Sequence, residues 1–260
     1  MFSFVYKDID FAHKLDNSTT PSENFERHMH YFNEILYFVK GDVVYHVESE
    51  SRQLQPGNIV LIPSGKFHFA VCNLQVPYER YVLKFPDQIL PNFLAERIRK
   101  SFSFHTDTMK FFLNFNCLDD YHEQFQDPDE VYALFLSELI KLLVLMSKEN
   151  TSVPPTTRQN DIIKSIIDYI DEHLQENITL ETLCDHFHFS KSYLSNCFKK
   201  NMKTPIMQYV RSKKIIAAHH MILSGVKKTV AAEFFGFDNY STFYREYIKI
   251  IGLGKKNKDR

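Results

Sequence analysis

Four short stretches, residues 35–39, 43–47, 58–62 and 78–85, are dense in β-branched and aromatic side chains, with Lys40-Gly41-Asp42, Glu48-Ser49-Glu50-Ser51 and Pro56-Gly57-Asn58 as punctuation. Short apolar runs between turn-forming residues predict an antiparallel β-barrel or sandwich. Past Pro86 the pattern turns helical. The clearest helix is predicted from Asp127 to about Lys148. Asp127 caps it, Pro128 fits its first turn, and Asp129 and Glu130 favour the positive end of the helix dipole. Val131, Leu134, Phe135, Leu139, Ile140, Leu142, Leu143 and Met146 cover most of its circumference, more than packing on one barrel face would hide. Two coverings fit the excess: a partner subunit, or further elements of the same domain.

A polar stretch over residues 148–160, stiffened by Pro154 and Pro155 and lacking any apolar period, reads as a linker. A chain of 260 residues is comfortable for two domains, and the expected division is 1–149, a linker at 150–159, and 160–260. After Asn160 and Asp161, Ile162, Ile163, Ile166, Ile167, Ile170 and Leu174 repeat at helical spacing as an amphipathic first helix. Thr179 then caps a helix with Leu180, Leu183, Cys184 and Phe187 inward. Ser190 caps a second with Leu194, Cys197 and Phe198 inward. Only His188 and Phe189 separate the last anchor of one from the cap of the other, which requires a tight turn and predicts a helix-turn-helix. Its second helix shows Ser192, Ser195, Asn196, Lys199 and Lys200 outward.

The pattern recurs 48 to 49 residues later. Ala231, Ala232, Phe235 and Phe237 stand where Leu183, Cys184, Phe187 and Phe189 stand in the first copy, Gly236 supplies the turn, and Asp238 repeats the cap. Phe243 and Tyr247 are expected inward, with Tyr240, Ser241, Tyr244 and Arg245 outward. A tandem pair is far more specific than a single match. Between the copies, Thr204 as cap, Pro205 as first residue and Gly225 as terminator predict one continuous helix of about 19 residues, roughly 28 Å long. That is close to one turn of B-DNA, about 34 Å, so two recognition helices held apart by it could enter successive major grooves.

Charge sharpens this reading. The net charge of −1 conceals 15 basic against 21 acidic residues up to Gln159 and 16 against 11 from Asn160 on; residues 191–260 hold 15 against 4. A cationic block on a folded domain is the footprint of a polyanion binder. The four cysteines, Cys72, Cys117, Cys184 and Cys197, show neither a disulfide framework nor metal-finger spacing, which fits a reducing compartment. The apolar start is interrupted at Lys7 and Asp8, and the richest apolar stretch, residues 131–146, is short of a bilayer span, so a cytoplasmic protein without a membrane partner is expected. No G-x-S-x-G elbow, phosphate-binding loop or dinucleotide fingerprint occurs.

Residues from about 160 to 252 resemble the AraC/XylS-type DNA-binding domain, most tellingly at Leu183, Cys184, Phe198-Lys199-Lys200, Tyr209, Lys214, Ala218, Gly236-Phe237, Phe243, Arg245 and Gly252. The resemblance implies binding to asymmetric double-stranded promoter sites with both units, mostly activating and sometimes repressing transcription, with RNA polymerase as a further partner. Departures concentrate in the second unit. Lys228 occupies a slot usually apolar, Ile248 replaces a usual lysine, and Gly252-Leu253-Gly254-Lys255 stands where a serine-proline pair is usual. The second unit is therefore expected to dock more loosely than the first.

In the first half, His28, His30, Glu34 and Gly41 fit H-x-H-x3-E-x6-G, and Gly57, Pro63, Gly65 and His68 fit G-x5-P-x-G-x2-H. On an extended strand residues of equal parity share a face, so the histidines and the glutamate can point into one cavity. Together the motifs resemble the two signatures of the cupin barrel. In metal-binding cupins the matching residues are ligands, and three imidazoles with a carboxylate suit Fe(II), Mn(II), Ni(II) or Zn(II). Sensing domains attached to AraC-type DNA-binding halves typically hold a small organic effector without a metal. Metal ligation, an effector pocket and purely structural histidines all stay open, and the expectation adopted is an effector site with no metal and no cofactor.

The expected fold is thus α+β in two domains: a cupin-like antiparallel β-barrel with following helices, which also dimerises, and an all-α domain of two helix-turn-helix units joined by a linker helix. The expected function is effector-controlled, sequence-specific DNA binding by a homodimer, not catalysis. The alternatives are a cupin metalloenzyme, an isomerase or dioxygenase with a basic module, and a protein-interaction module whose helix-turn-helix units no longer bind DNA.

Overall fold

The computed structural model describes residues 2–17, 28–73, 75–100, 103–105, 120, 121, 123–147 and 158–256. The chain divides into two compact units. One comprises residues 1–28, 32–47 and 51–152, the other 153–260 with the short segments 29–31 and 48–50. Cys117 and most of the expected linker, residues 148–157, lie outside the described residues.

The first unit contains β1 (Ser3–Tyr6), β2 (Ile9–Asp16), β3 (Asn33–Lys40), β4 (Val43–Val47), β5 (Glu50–Gln53), β6 (Ile59–Ile62), β7 (His68–Cys72), β8 (Tyr78–Phe85) and β9 (Ser103–His105). The four strands expected from the sequence are present as β3, β4, β6 and β8. The barrel walls are two antiparallel sheets, ordered β1-β2-β8-β3-β6-β9 and β5-β4-β7, and the ladders do not run on into a single closed ring among the described residues. Alternation along the strands makes two cores. Inward, Leu36, Phe38, Val60, Ile62 and Tyr78 of the larger sheet pack with Val43, Tyr45, Val47 and Ala70 of the smaller. Gly41, at φ +143°, turns the chain between β3 and β4, where a Cβ would lie 3.4 Å from Phe38 Cε2, Pro77 O and Tyr78 Cα.

The outer face of the larger sheet is covered by α1 (Asn92–Lys100) and α2 (Pro128–Met146). Asp127 caps α2 by accepting from the Asp129 amide, as its sequence predicts. Val131, Phe135, Leu139, Leu142, Leu143 and Met146 are buried against this sheet, and the Phe135 ring lies 5.0 Å from that of Phe4 and 5.1 Å from that of Phe11. Tyr132, Leu136, Ile140 and Val144 pack on the same core. Of the two coverings open in the sequence, elements of the same domain take most of the helix.

The second unit is helical: α3 (Arg158–Glu172), α4 (Leu180–Phe187), α5 (Lys191–Met202), α6 (Ile206–Leu223), α7 (Lys228–Phe234) and α8 (Tyr240–Lys256). Helix α3 begins two residues before the expected start, inside the segment assigned to the linker. Thr179 caps α4 in a reciprocal box with Thr182, and Ser190 caps α5 through the Tyr193 amide. Two caps differ from expectation. Asn239, not Asp238, accepts from the Thr242 amide at the start of α8. At α6 Pro205 holds the capping position without a side-chain bond, and Thr204 makes none. The joining helix has 18 residues, about 27 Å.

Candidate functional site

The two helix-turn-helix units share one backbone solution. His188 and Gly236, 48 residues apart, both take a left-handed turn, at φ 56° and 73°. The first core is closed by Leu183, Leu194, Cys197, Phe198 and Met202, all buried, while Leu180, Cys184 and Phe187 are only half-buried. In the second, Ala231, Ala232, Phe235, Phe243 and Tyr247 join Ile215 and Ala218 of α6. Lys214, buried on α6, donates to the Glu176 carbonyl at 2.7 Å and the Phe235 carbonyl at 3.0 Å. One ammonium thus ties the approach to α4 to the end of α7, fixing one copy against the other. Next to it, Lys213 pairs with Asp171 at 2.7 Å.

The residues expected to face DNA are placed on the outer surfaces. Ser192, Asn196, Lys199 and Lys200 of α5 are exposed, with Ser195 half-buried; Tyr240, Ser241, Tyr244 and Arg245 of α8 are exposed. The sequence reading omitted Tyr193, which is 46% exposed and packs on Phe189, and Arg211, exposed on α6. Their aromatic or cationic ends beside the same helices were the available signal. Lys191 is tied to Glu181. Lys228 does not weaken the inner face as expected, because its ammonium lies 5.7 Å from the Tyr244 ring centroid and 5.4 Å from that of Tyr247. Ile248 is 49% exposed, so the cation it replaces would have faced solvent.

In the first unit His68 opens β7 and faces inward; its backbone bridges to that of His28, and the two rings meet edge to face at 4.4 Å. Nδ1 of His68 donates to the Lys66 carbonyl at 2.9 Å, which leaves Nε2 as the lone-pair nitrogen. His30 is buried, in the short segment 29–31 that groups with the helical unit. Two facing imidazoles, His68 being fixed by a backbone carbonyl, can serve a divalent transition metal and can equally meet a polar ligand. Glu34 is not one of this group. It is buried on β3, where the Tyr45 hydroxyl donates to it; burial, then the Glu34 charge, raise that phenol well above its usual range. The Tyr45 ring lies 6.3 Å from that of His68, so Glu34, Tyr45 and His68 lie along one inner wall. Arg80, buried, pairs with Asp16 and stands 4.1 Å from the Tyr78 ring. Arg80, Lys14 and Lys84 share this wall and were missed by the sequence reading.

Two folded parts, a two-sheet barrel with a polar inner wall and a tandem pair of helix-turn-helix units, define a ligand-binding domain joined to a nucleic-acid-binding one. Residues 17–152 match the AraC-like ligand binding domain family and residues 183–254 a helix-turn-helix domain family, and the chain belongs to the AraC family of DNA-binding transcription regulators. It is similar to the multiple antibiotic resistance protein MarA of Escherichia coli, with 31% identity over 33% of this chain and 68% of MarA. It is also 32% identical to the uncharacterized HTH-type transcriptional regulator YobQ of Bacillus subtilis, over 34% of this chain and only 36% of YobQ. Among solved structures, ToxT of Vibrio cholerae aligns over 95% of both chains at 12% identity with a TM-score of 0.39.

Proposed function

We propose that the chain regulates transcription by binding promoter DNA through both helix-turn-helix units, under the control of a small organic effector held on the inner wall of the N-terminal barrel. The observation that carries this is the duplicated unit: two outward helix faces, each on its own packed core, joined by one 18-residue helix. In this reading residues 1–149 sense and dimerise, 150–159 link, and 160–260 bind DNA. Asn196 and Arg245 read bases, while Lys199 and Lys200 hold phosphates. His28, His30, Glu34 and His68 shape the effector site. The working form is a cytoplasmic homodimer that engages RNA polymerase and no membrane; among the described residues no helix is long and apolar enough to cross one.

The test is a genomic DNA pull-down with purified full-length protein, with and without a metabolite extract. A shared motif with two half-sites about one helical turn apart is expected, and affinity should fall steeply with salt because neutralised phosphates release counterions. Recovery of random fragments, or no response to extract, sinks the reading.

The grouped histidines favour one second reading, a cupin metalloenzyme. Metal analysis of the purified chain decides. Stoichiometric metal that His68→Ala abolishes, together with no sequence-selective DNA binding, would replace the regulator by the enzyme. In that case His28 and His68 would be among the groups that hold the ion, which would supply Lewis-acid chemistry.

A further inference from the structure

Arg211 and Lys214 stand one turn apart on α6 and line a concavity of about 290 Å³ within the helical unit. Its other walls include Asn177, ahead of α4, and Asp238, Asn239 and Thr242 at the turn into α8. Lys214 is buried, bonded to two neutral carbonyls, and burial alone pulls its pKa down, so no carboxylate answers this ammonium. Arg211 is exposed and makes no ion pair or hydrogen bond among the described residues; nor does Asp238, exposed on the same lining. The two cations therefore exceed the one carboxylate by a single charge.

The concavity borders the second recognition face, because the guanidinium of Arg245 reaches the hydroxyl of Thr242, on its wall, at 3.5 Å. It also lies along α6, the helix that joins the two units. When the two recognition helices occupy successive major grooves, the stretch of duplex between them offers a minor groove and its flanking phosphate backbones. A phosphodiester carries one negative charge and matches the single excess cation. A phosphate monoester, with nearly two charges, would set more charge against Asp238.

We propose that Arg211 seats a DNA backbone phosphate in this concavity, with Lys214 adding its charge from beneath and Asp238 holding the strength of the contact down. This rests on the reading of the two units as docking in successive major grooves. Arg211 is then a positioning residue, whose contact is blind to sequence but fixes α6 along the duplex and so the register of both readers. Asp238 opposes any phosphate that enters. It is not needed to start α8, since Asn239 takes the Thr242 amide.

The experiment measures binding of the full-length protein, across a salt series, to two duplexes of about 40 base pairs, long enough for two half-sites one helical turn apart. One duplex is that recovered by the genomic pull-down and the other has an arbitrary sequence. Arg211→Met should weaken binding about 3- to 10-fold, lower the salt slope by about one and leave the preference between sites unchanged. Arg211→Lys, which keeps the charge, should keep the slope; Arg211→Ala replaces the methionine variant if that does not fold. Asp238→Asn should tighten binding about 2- to 5-fold, because one opposing charge is gone and the Asn239 cap is untouched. Adenosine monophosphate, titrated without DNA, should not raise the melting temperature saturably. The proposal is overturned if removing the Arg211 charge keeps the parent slope or shifts base preference, if Arg211→Lys loses the slope as well, or if Asp238→Asn fails to tighten binding. It is also overturned if adenosine monophosphate stabilises the parent and not Arg211→Met, which would give the site to a free phosphate ester. A parent chain that selects no sequence, with Arg211→Met still lowering the slope on the arbitrary duplex, would overturn the regulator and leave the phosphate seat standing; selective binding with an unaltered slope in Arg211→Met does the reverse.

Discussion

Phe243→Ala is expected to cost about 3 to 5 kcal/mol and to remove the second helix-turn-helix unit from DNA recognition. The ring of Phe243 is fully buried, 5.1 Å from that of Phe237 and 5.5 Å from that of Tyr247, and it packs with Ala231, Ala232 and Phe235 of α7 and with Ile215 and Ala218 of α6. Three of those neighbours are alanines that cannot grow into the space, so truncation leaves a cavity instead of a collapsed core. Tyr240, Ser241, Tyr244 and Arg245 are presented by the helix that this ring anchors, and they should lose their fixed direction together. Denaturant unfolding of the full chain measures the loss, and binding to operators scrambled in one half-site measures the consequence. A variant within 1 kcal/mol of the parent, or one that still discriminates both half-sites, would show that Phe243 is not the keystone of the unit.

The parts of this protein that were legible in the sequence are those where local chemistry and tertiary packing agree. Asp127, Thr179 and Ser190 cap helices because a short oxygen-bearing side chain ahead of an apolar period has few other uses. The duplicated core was readable because Leu183 and Ala231, 48 residues apart, and Leu194 and Phe243, 49 apart, answer one packing requirement twice. Strand β2 was not readable. Its Ile9-Asp10-Phe11-Ala12-His13-Lys14-Leu15-Asp16 does alternate, but its inner face carries charge, and charge inside a barrel looks like a surface in one dimension. The same disguise hid Lys14, Arg80 and Lys84. Glu34 was assigned with the histidines by motif spacing, whereas the pleat and the Tyr45 hydroxyl place it with the lysines, along the wall from His68. Asn239 displaced Asp238 as a cap because either residue suits the position and only the path of the turn decides. In one dimension Lys228 looks like a polar intrusion, since the two tyrosines that receive it lie sixteen and nineteen residues away on another helix.

Asn196→Ala should relax base preference in one half of the operator with little change in the salt slope, and Lys199→Ala should weaken every sequence about equally and flatten that slope. The distinction follows from where the groups stand. Asn196 is exposed on α5 between Leu194 and the pair Cys197 and Phe198, all buried, so the backbone beneath it is fixed and its amide can meet an adenine edge, a contact worth about 1 to 3 kcal/mol. Lys199 and Lys200 follow one turn later, exposed, with ammonium groups that reach phosphates and set register without reading sequence. Lys191 is held by Glu181 and is not counted with them. The second recognition helix is also firmly packed, since Lys228 rests on its tyrosines, so an inequality between the units comes from their surfaces. Arg245 stands 3.5 Å from the Thr242 hydroxyl, and one turn nearer the C-terminus the surface carries Ile248 in place of a cation. The first unit is therefore expected to carry more of the base readout. On a library of operator variants, Asn196→Ala should lower the ratio of best to mismatched site about 5- to 100-fold, and Arg245→Ala should lower it less. If Arg245→Ala abolishes discrimination while Asn196→Ala leaves it intact, the dominant reading helix is α8 and the order of the two units is reversed.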